Sequence, residues 1–256
     1  MPAPALLAVV PVAVLVAAHL LATRLRGLAG RNEDAVVSAA GGISVAYVFL
    51  HLLPEVAAGA RVVGESVEEL VAHVPLQELV VFLVALAGFT LFYVAERYAA
   101  RRGSARHGGD GASSSAFAVH VAAFALYNVA VAYTLPERVG ADPVSAAVFT
   151  LAVAVHVLVV DRGLAEHHPR RYGHVGRFVL AGALLLGWAL AAVAAPTSSL
   201  TVSLMTAVVA GSVLLTVFQE ELPQARESRT RPFLVGLGAN AVLLLALAML
   251  EPAAGA

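Results

Sequence analysis

Long apolar runs separated by short polar connections dominate this chain of 256 residues. Eight runs stand out, at roughly 4–23, 35–54, 77–96, 115–135, 143–160, 176–195, 199–219 and 233–250. A helix rises ~1.5 Å per residue, so ~20 residues cover the ~30 Å hydrocarbon core of a bilayer. The pattern predicts eight transmembrane helices, an all-α polytopic membrane protein. The longest polar gaps, at about 55–76 and 97–114, are too short for a separate hydrophilic domain. The first run has no positive charge ahead of it and Arg24 after it, so it reads as a retained span rather than a cleaved leader.

Charge gives the spans a direction. With the N-terminus outside, the inner connections carry Arg24, Arg26 and Arg31, then Arg97, Arg101, Arg102 and Arg106. They also carry Arg162, Arg170, Arg171 and Arg177, then Arg226, Arg229 and Arg231, leaving Arg61 and Arg138 outside. An excess of Arg in cytoplasmic loops is the expected orientation signal. It predicts a cell-membrane protein with both termini outside. The arginines follow a membrane surface rather than a groove, which argues against nucleic acid as a partner.

Composition narrows the chemistry. Sixty per cent hydrophobic and 13% charged lies far from the quarter charged of soluble domains. The chain has no cysteine, which removes thiolate metal sites, disulfides and cysteine nucleophiles. All its basic residues are Arg, so Schiff-base chemistry at Lys is excluded too. It contains no His-Glu-x-x-His, no Gly-x-Ser-x-Gly and no phosphate-cradling glycine loop, and an enzyme is not the expectation.

The second and seventh spans share a pattern. Gly42, Val48, Phe49, Leu53 and Pro54 recur at constant offset as Gly211, Val217, Phe218, Leu222 and Pro223. The two spans cross in opposite directions, the relation of an inverted repeat in which a transporter places its site between two halves. Spans 1–3 and 6–8 are then the repeats, with spans 4 and 5 between them. Gly41, Gly42, Gly211, Gly236 and Gly238 are expected to let helices approach closely. Trp188 falls in mid-span, where packing is its expected role.

The segment from Gly41 to Glu55, ending His51-Leu52-Leu53-Pro54-Glu55, resembles the second span of ZIP-family metal transporters, which often ends His-x-x-Pro-Glu. Ala210-Gly211-Ser212 through Glu220-Glu221-Leu222-Pro223 is similar to that family's seventh span. The resemblance covers nearly the whole chain. It implies a ZIP-like 3+2+3 bundle, alternating access, a divalent cation such as zinc as substrate, and a homodimer. The family's span-4 motif, His-Asn-x-x-Asp-Gly, is here Tyr127-Asn128-Val129-Ala130-Val131-Ala132, so the Asn alone matches. Its span-5 motif, His-Glu-x-x-His-Glu, is here His156-Val157-Leu158-Val159-Val160-Asp161. The chain thus resembles a divergent branch with a reduced metal site.

Ionisable groups inside a span cost ~2.5–3.5 kcal/mol each at the helix centre, which makes them candidates. His120, Tyr127 and Asn128 stand at i, i+7 and i+8 and form one inward stripe. His156 sits about one turn from Asp161. The expected cation path has Asn128 at mid-depth, then His120, His156, Asp161 and Glu220 toward the inside, with His51 and Glu55 at the outer entrance. Imidazole nitrogen and carboxylate oxygen suit zinc and similar ions. The competing reading for each His is a hydrogen bond that joins helices. Two further readings stay open. One is a non-transporting protein on the same scaffold; the other is a haem or redox protein holding iron between His120 and His156. The acidic loop after span 2 and the inner His167-His168 pair are possible ion-collecting surfaces, with ordinary solvated loops as the alternative.

Overall fold

The computed structural model describes residues 3–29, 33–68, 79–103, 110–168, 171–195, 197–221 and 229–250. Those residues are almost wholly helical, and no strand occurs among them. Eight helices are long and apolar enough to cross a membrane: α1 (Ala3–Ala22), α2 (Asp34–Gly64), α3 (Leu79–Ala99), α4 (Ser114–Ala141), α5 (Pro143–Glu166), α6 (Tyr172–Ala194), α7 (Ser199–Gln219) and α8 (Thr230–Met249). Each overlaps one predicted run. Apolar side chains such as Leu83, Leu86, Val193 and Val242 are exposed on the outer surface, as contact with lipid requires.

Two helices run past a proline. In α2, the residues Val48–Leu52 form a π-helical turn in which the Leu53 N–H donates to the Val48 carbonyl. The wider turn accommodates Pro54, which has no N–H and whose ring crowds the carbonyl one turn back. The helix then continues, and its 31 residues make ~46 Å at ~1.5 Å per residue. Its C-terminal part packs on α3 and α7, with Gly59 against Ser203. In α4 the chain passes through Pro136 to Ala141. Asp142 alone separates α4 from α5: its carboxylate accepts from Val144 N (2.9 Å) and Ser145 N (3.1 Å), with Pro143 at the first helical position.

The closest helix pairs are α2 with α8, α4 with α6, and α3 with α7. Backbone meets backbone at each, because only glycine fits. A Cβ on Gly42 would strike the Phe233 carbonyl and Leu237 N, and one on Gly211 would strike the Ala85 carbonyl and Phe89 N. Reciprocally, Gly236 faces the Ala39 carbonyl and Gly88 the Val208 carbonyl. Ala85, Gly88 and Phe89 on α3 therefore stand in the same register as Phe233, Gly236 and Leu237 on α8. The π-helical turns Val48–Leu52 and Val217–Glu221 correspond in the same way. Exchanging α1 with α6 and α4 with α5 likewise maps the α4/α6 pair onto α5/α1, which is also packed. The architecture is a 3+2+3 inverted repeat. Gly88 and Gly187, which meets the Val129 carbonyl, are close-approach glycines that the sequence pattern did not single out; Gly238 has nothing within 4 Å. Trp188 does more than pack, since its Nε1–H donates to the Ala5 carbonyl (2.8 Å) and ties α6 to α1.

Candidate functional site

The deepest polar group is a side-chain network around His19, a residue absent from the expected path. His19 on α1 is 1% exposed and Asp161 on α5 is 0% exposed. The His19 Nδ1–H donates to Asp161 Oδ2 at 2.8 Å. Asn128 on α4 donates from Nδ2 to His19 Nε2 at 2.9 Å and reaches the Leu180 carbonyl of α6 at 3.4 Å. His19 thus links the Asn128 amide to the Asp161 carboxylate. The other Asp161 oxygen, Oδ1, and the Asn128 Oδ1 have no hydrogen-bond partner among the described residues. The Tyr172 hydroxyl of α6 approaches Asp161 as well, outside strict hydrogen-bond geometry.

Asn128 and Asp161, both expected site residues, are thus brought together, with His19 as the link. They meet between α1, α4, α5 and α6, whereas the expectation had been a site between α2, α4, α5 and α7. The reason is rotational: Asn128 lies round the helix from Tyr127 and faces α1 and α6, leaving Tyr127 to face His156.

The remaining candidates occupy separate neighbourhoods. His156 is buried on α5, within electrostatic reach of Asp161, against Thr216 Oγ1 of α7 (3.4 Å) and the Tyr127 ring (centroids 5.6 Å). His120 turns away from this region: its Nε2 lies 3.0 Å from Glu96 Oε1 on α3, and its ring lies 6.1 Å from that of His168. His120 and His156 therefore face different partners. At the opposite end Glu55 forms an ion pair with Arg138, so it is not a free entrance ligand. His51 lies 3.4 Å from Ser145 Oγ and stacks on Tyr47 (5.2 Å). The backbone of Glu220 lies in the π-helical turn ending α7, and its side chain lies outside the described residues, as do the His167 side chain and most of the acidic loop.

Among the described residues no group of three or more His, Asp or Glu is arranged as a ready metal site. The signal that could have found His19 was plain enough: it is an ionisable residue in an apolar stretch, Val16-Ala17-Ala18-His19-Leu20-Leu21. The family pattern drew attention to α2, α4, α5 and α7 instead. No protein-family model matches the chain, and no curated protein matches its sequence.

Proposed function

We propose that this protein is a ZIP-like transporter of a divalent cation, zinc or a similar ion, working by alternating access in the cell membrane with both termini outside. One observation carries the reading: the buried Asp161 carboxyl sits inside an inverted repeat, and its Oδ1 has no hydrogen-bond partner among the described residues. A bare charge there is costly, and a passing cation offsets that cost. Asp161, Asn128 and His19 supply oxygen and nitrogen donors, and His156 adjoins them. The site is reduced relative to the family pattern, and the cation binds as substrate.

The test is uptake by purified protein in liposomes across zinc, manganese, iron and cadmium. Asp161→Asn and Asn128→Ala should each abolish accumulation while membrane insertion persists. Unchanged uptake in both would remove the assignment. A second reading has its own support: His19 already joins Asp161 and Asn128 to each other, and no ready metal trio exists among the described residues. On that reading the scaffold does not transport, and a correctly folded protein takes up none of the four ions. The homodimer belongs to the same family-based proposal and is checked by mass measurement in detergent.

A further inference from the structure

Arg138 occupies the end of the bundle opposite the arginine-rich connections. It lies near the end of α4, and its side chain is 9% exposed. Each guanidinium nitrogen is engaged by a different group. Nη1 pairs with Glu55 of α2, Nε donates to Thr134 Oγ1 of α4 (3.1 Å), and Nη2 donates to Thr206 Oγ1 of α7 (3.1 Å). The plane stacks on the Phe149 ring of α5 at 4.0 Å. One side chain thus joins α2, α4, α5 and α7.

Beneath it runs a file of polar groups in an otherwise apolar interior. Ser44, Tyr47, His51 and Glu55 stand three or four residues apart and share one face of α2. Tyr47 is buried against Phe149, within electrostatic reach of Arg138, Glu55 and Tyr127, and its hydroxyl has no hydrogen-bond partner among the described residues; nor has the buried Ser44 hydroxyl. From Tyr127 the file continues to His156 and so to Asp161. A continuous polar file costs stability in a bilayer unless something uses it.

We propose that Arg138 is a tethered cation that bolts this end of the path shut, holding Glu55 in the place an incoming cation takes. Arg is never deprotonated, so the bolt is released only by motion or by competition for Glu55. The buried Glu55 Oε2 atom has no partner among the described residues, so displacing the guanidinium frees the carboxylate to receive a cation. Closure by a charged side chain that spans four helices is a two-state element of the kind alternating access requires. The nature of the ion rests on the transport reading; the closure does not.

The absence of cysteine makes a direct test available. A single cysteine at Ser44→Cys is to be labelled in liposomes with a charged, membrane-impermeant thiol reagent. It should react slowly in the otherwise unaltered protein and at least about tenfold faster with Glu55→Gln or Arg138→Gln, a change equal to ~1.4 kcal/mol in the open–closed balance. Thr206→Val, which removes one hydrogen bond, should give a smaller acceleration. A cysteine at the exposed Arg61→Cys, outside the file, should label at one rate in every background. Equal Ser44→Cys rates with and without Glu55→Gln, in protein eluting as one species, would overturn the bolt and leave Arg138 a mere brace. Accelerated labelling without uptake of any ion would retire the metal and keep the bolt.

Discussion

Replacing His19 should expose how Asp161 is held. His19→Ala removes the donor to Asp161 and the acceptor for Asn128. Removing the hydrogen-bond partner of a buried polar group costs ~1–3 kcal/mol, and more where that group is charged; here Asp161 keeps only the looser approach of the Tyr172 hydroxyl. The Asn128 amide adds little, since it keeps its contact with the Leu180 carbonyl. Asp161→Asn, by contrast, keeps the shape and an acceptor for the His19 Nδ1–H. It should cost about 1 kcal/mol, the net worth of an ordinary hydrogen bond. In the double variant no buried carboxylate is stranded, while the cavity left by the imidazole is common to both His19→Ala proteins and cancels. The double variant should therefore be more stable than the sum of the singles by ~2 kcal/mol, within the usual range for directly bonded residues. Unfolding in mixed micelles can be followed by the single tryptophan, Trp188, whose indole bridges α6 to α1. Additivity within ~0.3–0.5 kcal/mol would refute the argument, because independent sites behave that way.

Other consequences can be measured directly. Gly42→Leu and Gly211→Leu should each destabilise the bundle by at least ~1–3 kcal/mol through overpacking against backbone, whereas Gly238→Leu, with open space around it, should not; equal losses at all three would contradict the inverted repeat. Asp142→Ala removes the cap that starts α5 and should cost ~0.5–2 kcal/mol, read as a lowered unfolding free energy. Single cysteines at Arg101 and Arg229 should be labelled from one face of the membrane and one at Gly140 from the other. Labelling of Arg101 and Arg229 from opposite faces would break the topology.

The number of spans, their order and the repeat were legible in the chain because lipid imposes one rule on every backbone: a crossing segment must be helical, long and apolar. That rule is local, so apolar run lengths reveal it. The matched Gly42 and Gly211 were legible for a similar reason, since backbone contact between helices admits almost no other residue. Helix ends were less so. The predicted second and fourth runs stop at 54 and 135, yet both helices continue through Pro54 and Pro136. Side-chain partners were decided by the tertiary structure alone. Nothing in the spacing of His19, Asn128 and Asp161 along three separate helices says that they meet, and nothing near Arg138 in the chain points to Glu55, Phe149 or Thr206. Which face each helix turns inward depends on how the glycine crossings rotate it. Successive helical residues point ~100° apart, so Asn128 meets His19 while its neighbour Tyr127 meets His156.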